Sequence, residues 1–440
     1  MSSIILCANR SSHEQEDIMD QNFAQTPTPA ENALPPIAVR SIRNKTALSL
    51  HEPDRVPFMP SMNNFYALHY GVTVQESMTD ARSLIAPLRR FCEDYDPDWV
   101  WNPVPFPIKP METIDHKQAR WPGAYFNLPE NTPYQYVDKS YLTEDDWEEY
   151  FRDPSMFILH KVLPYKFGAL SGLQFINPYA MCGHAILSYM QFANPAVQES
   201  LKTLCRVGSE VAEYMQGGIE LTMSVIQNGY PVYGGAPACI PFDDFADNVR
   251  GLMELCMDLI TDPDCVDEAL QKWGDISIPA AIATAKMSHC EDLFLPLHCG
   301  VDNFMSLENY EKHYWPTLKR TIEAAVAAGL TPIVFCEGKY NTRLDCITDV
   351  PKGKVLYNFE DVDWKEAKRI VGPYAAIGGG MDTQTLMHGT PADVERVTRQ
   401  ALDILAPGGG FFMSNSIALD EVPVENMHAW RDTLEKYGKY

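Results

Sequence analysis

The chain has 440 residues, 45 % hydrophobic and 21 % charged, with a formal net charge of −24. That length supports a large core, and the acidic balance excludes a nucleic-acid backbone as partner, since that ligand calls for a basic stripe. No stretch approaches the roughly 18 apolar residues of a membrane span, and residues 1–20 lack the apolar run of a signal peptide. The 11 scattered cysteines then read as free thiols of a reducing cytosol, and a few of them are candidate metal ligands. The expected location is the cytoplasm.

Residues 1–38 are polar and rich in Pro and Ala, which reads as an N-terminal arm without a core of its own. A single domain is expected over 39–440. Asn194-Pro195 opens a helix expected to reach about Gly217. The stretch 228–250 reads as a long glycine- and aromatic-rich loop leading into a helix, and such loops carry function.

The C-terminal half alternates regularly. A buried-type strand is expected over 293–298. A long helix follows, capped by Ser306 and stopped at Gly329. Strands are expected over 331–336, 354–359, 374–378 and 411–413. The helices between them span 364–371 and 391–405, the second opened by Thr390-Pro391. Apolar strands alternating with amphipathic helices argue an α/β fold with a parallel sheet. No G-x-G-x-x-G joins a strand to a helix, so an open dinucleotide-binding sheet lacks its fingerprint. Gly378-Gly379-Gly380 reads as a tight turn at a strand end.

Several pieces, in order, resemble the uroporphyrinogen decarboxylase superfamily. They are Arg55-Val56-Pro57 near the start, Asp361 to Lys368, Gly378-Gly379-Gly380, Gly389-Thr390-Pro391, Pro407-Gly408-Gly409-Gly410, and Pro423 with Glu425-Asn426. The resemblance covers about residues 50–430 and implies a (β/α)8 TIM barrel with an N-terminal extension, its active site at the C-terminal mouth. The family includes porphyrinogen decarboxylases and zinc-dependent methyltransferases that exchange methyl groups with a corrinoid protein. True decarboxylases follow the opening strand with Arg-Gln-Ala-Gly-Arg-Tyr, to hold a polycarboxylate. Here the same place reads Pro60-Ser61-Met62-Asn63-Asn64-Phe65-Tyr66, with neither arginine. The thiol-methylating members carry a His-x-Cys-Gly motif and a later Pro-Gly-Cys-Gly turn. Here Phe335-Cys336-Glu337-Gly338 stands at the first, and Gly409 takes the place of the second cysteine.

The resemblance therefore implies the methyltransferase branch with a changed ligand set. His298 and the pair Cys336, Glu337 end adjacent expected strands and form the candidate metal site, zinc being the expected ion. Cys336 and Glu337 alternate along one strand, so the two do not easily face the same side. His298, Glu337 and Asp302 are the candidate catalytic residues. Asn63, Asn64, Tyr66, Tyr233, Phe242, Asp243 and Arg250 are the candidate substrate contacts, with Arg250 placed to pair with Asp247 on one helix face. The expected activity moves a methyl group from a methoxylated, aromatic-type donor to a cob(I)alamin carrier protein. The rival readings are a lyase of the same fold, which needs arginines at the mouth (Arg55, Arg250 and Arg343 being the candidates), and a non-catalytic binding member. A homo-oligomer is compatible with either.

Overall fold

The computed structural model describes residues 34–102, 104–183, 186–415 and 418–440. The arm expected over 1–38 lies, up to residue 33, outside the described residues. Its last residues already belong to a helix, Pro36–Leu48, which begins just before the expected onset at Val39. Pro36 fits the first helical turn, where a missing N–H is no loss.

Among the described residues nine short strands follow. β1 (Val100–Trp101) pairs in parallel with β4 (Val232–Tyr233). Between them β2 (Ala119–Arg120) and β3 (Gln135–Tyr136) form an antiparallel ribbon. β5 (Asp292–Leu297), β6 (Thr331–Lys339), β7 (Leu356–Asp361), β8 (Ala376–Met381) and β9 (Phe411–Asn415) make one parallel sheet in sequence order. Backbone bonds outside these strands close the ring. Ala238 N–H donates to Phe294 O and Phe294 N–H to Ala236 O, which joins the chain after β4 to β5. Met413 N–H donates to Pro57 O and Met59 N–H to Met413 O, which joins the extended stretch 57–61 to β9. Asp98 N–H donates to Phe58 O, which brings that stretch to the start of β1. Eight staves therefore close on themselves, as a (β/α)8 barrel requires.

The barrel interior holds an apolar layer with a side chain from every stave, among them Met59, Trp101, Tyr233, Phe294, Phe335, Leu356, Ala376 and Phe412. Ala47 and Leu48 of the first helix pack against this layer and plug the N-terminal end. A polar tier also lies inside. Ser61 Oγ is 3.0 Å from Tyr233 Oη, Ser61 N–H donates to Asn415 Oδ1, and Asn358 Nδ2 donates to Asn415 O.

Three sequence expectations change. Gly378, Gly379 and Gly380 are interior residues of β8 and not a turn. A Cβ on Gly378 would sit 2.5 Å from Asn358 Oδ1, and one on Gly380 2.9 Å from Ala401 Cβ, so glycine is required for close approach. The helix opened by Asn194-Pro195 runs past Gly217 to Gln227. Gly217 and Gly218 do not stop it; they admit Arg82 and Val104 against the helix. The triplet Gly408-Gly409-Gly410 lies before β9, at the N-terminal end of the barrel. A Cβ on Gly409 would meet the His51 backbone at 2.2 Å, so this turn holds no position at the mouth.

At the start of β5, Asp292 is buried and accepts the Gly234 N–H at 2.8 Å. Burial lifts its carboxyl from the ordinary 3.8 to about 7. Between those values the folded chain keeps a proton that the unfolded chain has lost. Stability therefore falls as pH rises through this window, and the loss is complete above about 7. Asp292→Asn keeps an acceptor for Gly234 without a charge. It should raise the melting temperature at pH 8 and leave it nearly unchanged at pH 4. Equal shifts at both pH values in differential scanning calorimetry would refute this account.

Candidate metal centre and active site

The mouth is built from consecutive staves. Cys239 follows the stave that pairs with β5, His298 follows β5, and Glu337 lies near the end of β6. One ligand atom each from Cys239, Asp247 and His298 lies within 4.8 Å of the other two. His298 Nε2 is 3.9 Å from Asp247 Oδ2, and His298 Nδ1 is 3.3 Å from Glu337 Oε2. With Nδ1 turned to the Glu337 carboxylate, Nε2 is the ring nitrogen that faces Asp247.

Local structure explains each placement. Pro241 opens the helix Pro241–Phe245, and a π-helical turn over Ala246–Arg250 continues it. Such turns recur at functional sites because they re-aim a side chain. The Asp247 carbonyl accepts from Gln118 Nε2 and, at 2.8 Å, from Tyr136 Oη. The long insertion between β1 and β4 thus holds the turn that carries a donor. Asp243 is fully buried. Its two oxygens accept from His298 N–H at 3.1 Å, Cys299 N–H at 3.2 Å and Tyr314 Oη at 2.8 Å. Asp243 is therefore the strut that fixes the end of β5 and the direction of His298.

The electrostatics follow from this crowding. Burial pushes the Asp243 carboxyl up, while His298 and the three donors pull it back. Burial also raises Asp247, to about 6, with Asp243 and Asp244 adding to the rise and His298 opposing it. For His298, burial works against the charge. The bonds to Cys239 and Glu337 and the field of Asp243 outweigh it and bring the imidazole to about 11. Several acidic groups thus surround one imidazole, an arrangement that a cation would complete.

The remaining candidates fall elsewhere. Cys336 belongs to the helix-side core, where it packs with Leu297, while Phe335 before it faces the barrel interior. Strand alternation sends Cys336 and Glu337 to opposite faces. Cys336 is buried in that core and stands apart from the grouped donors, so the structure does not bring it to His298 and Glu337. Asp302 ties two loops: its carboxylate accepts from Thr342 N–H and Oγ1, its N–H donates to Lys339 O, and Arg343 Nε is 3.6 Å away. Asn63 N–H donates to Leu419 O, and Asn64 donates twice to Asp420 Oδ1. Tyr66 is buried against Phe91 in the outer core, Tyr233 lines the barrel interior, and Phe242 packs on Tyr314. Arg250 pairs with Asp258 at 2.6 and 2.9 Å and not with Asp247, because the π turn points the two side chains apart.

From the sequence, Asp247 reads only as a helix-face partner of Arg250, and no role is assigned to Cys239 inside Ala238-Cys239-Ile240-Pro241. The available signal was its place, a thiol directly after a stave and just before a Pro-initiated helix.

The family model described as uroporphyrinogen decarboxylase (URO-D) matches residues 189–437, more than half of the chain. The chain belongs to the uroporphyrinogen decarboxylase family. Its structure is similar to that of a methyltransferase from Methanosarcina mazei, with a TM-score of 0.59 and 13 % identity over 90 % of this chain and 98 % of that one. At that identity the shared property is the fold. A B12-independent methionine synthase from Shewanella sp. W3-18-1, in complex with selenomethionine, aligns over 49 % of this chain and 64 % of its own, with 10 % identity and a TM-score of 0.33. No curated protein sequence matches the chain. Among the described residues no helix is long and apolar enough to cross a membrane.

In this member of the uroporphyrinogen decarboxylase family the three arginines that a carboxylate-binding mouth would draw on are all committed. Arg55 bonds the buried Asp98. Arg250 is held by Asp258 and Leu142 O. Arg343 is buried and donates to the carbonyls of Gly300, Val301 and Met305.

Proposed function

We propose that this chain is the methyl-transferring component of a corrinoid-dependent demethylation. Its substrate is a methoxylated, aromatic-type compound, and its partner is a protein carrying the corrinoid as cob(I)alamin. The observation that carries this reading is the convergence of Cys239, Asp247 and His298 at the barrel mouth. One thiol, one carboxylate and one imidazole match the donor types of a catalytic zinc site, which has three protein ligands and one open position. Bound there, zinc would supply Lewis-acid stabilisation of the ether oxygen as the phenolate leaves.

The chain's own residues have distinct tasks. His298 would offer Nε2 to the ion, while Glu337 holds its Nδ1 proton and so fixes the tautomer and the ring plane. Asp243 anchors the backbone beneath His298. The committed arginines disfavour the lyase, since a carboxylated substrate would find none of the three free. The binding-member reading gives no reason for the donor set.

The test is elemental analysis of the purified chain, followed by assay of methoxylated aromatics with free cob(I)alamin. The expected result is near-stoichiometric zinc and loss of cob(I)alamin absorbance only when a methoxyl donor is present. A chain that takes up no zinc from micromolar solution sinks the metal-assisted mechanism. A zinc-loaded chain that consumes no cob(I)alamin with any methoxyl donor sinks the substrate class.

A further inference from the structure

Lys166 ends the short helix Leu163–Lys166, in the insertion between β1 and β4. Its Nζ donates to Asn248 Oδ1, on the π-helical turn that also carries Asp247. The Asn248 amide is held in that orientation, because Nδ2 donates to Asp244 O at 3.1 Å and to Asp244 Oδ1 at 2.8 Å. Trp273 Nε1 fixes Asp244 in turn, donating to Oδ2 at 2.7 Å. A chain of bonds that starts in the helix Pro263–Met287 therefore sets the ammonium beside the donor cluster.

An ammonium offers several N–H donors, and the bond to Asn248 uses one of them. Among the described residues no carboxylate pairs with this half-buried group. Arg250 differs, since Asp258 holds it with two bonds. Burial lowers the Lys166 ammonium to about 8, against the opposing fields of Asp244 and Asp247. It stays mostly charged at neutral pH, and a cation drawn out of water with donors to spare is stabilised by an anion. The surroundings are aromatic. His116 stands edge-on to Phe167 with ring centroids 5.0 Å apart, and burial, Lys166 and Lys139 bring its imidazole down to about 4, so it is neutral. Tyr136 binds the Asp247 carbonyl, and Tyr134 is close enough to feel the Asp247 charge. Around His298, in contrast, stand Asp243, Asp247 and Glu337. An anionic substituent is repelled there and accepted at Lys166.

We propose that Lys166 selects the methyl donor: the methoxylated ring carries a carboxylate, and the Lys166 ammonium binds it. The inference rests on the demethylation reading above and narrows its donor to methoxylated aromatic acids. One lysine meets one carboxylate, whereas a polycarboxylate would need several cations. The carboxylate anchors one end of the ring on the insertion. The methoxyl group at the other end is the part left to reach the donor cluster, and anchoring a remote group in this way orients the reacting one.

Calorimetric titration of the full chain with para-methoxybenzoate and with its neutral isostere para-methoxybenzamide tests the proposal without turnover. The wild-type chain is expected to bind the acid roughly ten-fold or more tightly than the amide. Lys166→Met should weaken the acid by about 10- to 100-fold relative to the amide, and Lys166→Arg should keep the preference for the acid. A wild-type chain that binds the amide as tightly as the acid, or binds neither, overturns the proposal, and this comparison needs no variant to fold. Equal weakening of both ligands in Lys166→Met, or no weakening of the acid, overturns it as well, since a merely structural lysine would not discriminate. Consumption of cob(I)alamin is read separately. A chain that binds the acid through Lys166 and never demethylates it refutes the demethylation reading and keeps the anion site. Turnover of neutral ethers without preference for the acid does the reverse.

Discussion

On the proposed zinc reading, His298→Ala is expected to remove the ion and to lower kcat/KM for methyl transfer by a factor on the order of 10³ or more. The imidazole is the only nitrogen of the donor set. Without it the thiol of Cys239 and the carboxylate of Asp247 remain, too few donors for a site that needs three. Cys239→Ala should have a similar effect. Cys336→Ala is the informative control, since that thiol lies in the helix-side core and should leave the zinc content unchanged. Glu337→Gln keeps the volume and the acceptor oxygen but removes the charge. It should weaken zinc binding by about 10- to 100-fold, the usual scale for a group that orients a ligand. Titration with a zinc chelator orders the four variants. Full zinc retention in His298→Ala, or zinc loss in Cys336→Ala, would show that the site has been assigned to the wrong thiol and face.

The second large effect belongs to Asp243. No substrate or metal need touch it; it acts through His298. Its carboxylate gathers two backbone N–H groups and a tyrosine hydroxyl in a fully buried place. Asp243→Asn keeps the shape but turns an amide donor toward groups that are themselves donors. Leaving one buried donor unpaired costs about 1–3 kcal/mol, and a loss of that size is expected. Thermal unfolding reads that loss. A merely structural role would stop there. A positioning role also predicts weaker zinc binding and a fall in kcat at saturating donor, because the end of β5 would no longer hold the ring in place. Tyr314→Phe removes one of the three donors and should have a smaller effect of the same kind. An Asp243→Asn chain with unchanged melting and unchanged zinc affinity would contradict both parts.

The sequence shows the second half of the barrel clearly and the first half hardly at all, for physical reasons. From β5 onward the strands carry apolar segments such as Leu293–Leu295, Ile333–Cys336 and Phe411–Met413, and the helices between them carry start or stop signals. Ser306 and Thr390 cap as expected, and Gly329 takes positive φ after its helix. The first three staves are short and broken by Pro57, Pro60, Pro97, Pro231 and Pro237. Their partners are distant: Val100 pairs with Val232 across the whole insertion, and no local pattern encodes that. The site divides in the same way. His298 and Glu337 were legible because each ends an apolar run, where a polar side chain needs a reason. Tyr66 and Phe242 have the composition of a pocket wall, but burial puts them in the core. Cys239 sits in a short apolar stretch without ligand spacing, and Asp247 gains its place only through the π turn.

The two bonds that Gln118 and Tyr136 make to the Asp247 carbonyl link residues 129 and 111 positions apart. Cys239 and His298, in contrast, stand at the ends of neighbouring staves. Contacts that close long loops form late, since chain entropy must be overcome first. Asp247 is therefore the last of the three donors to be fixed in place. Under the proposed zinc reading, an ion would find its full donor set only in the finished molecule.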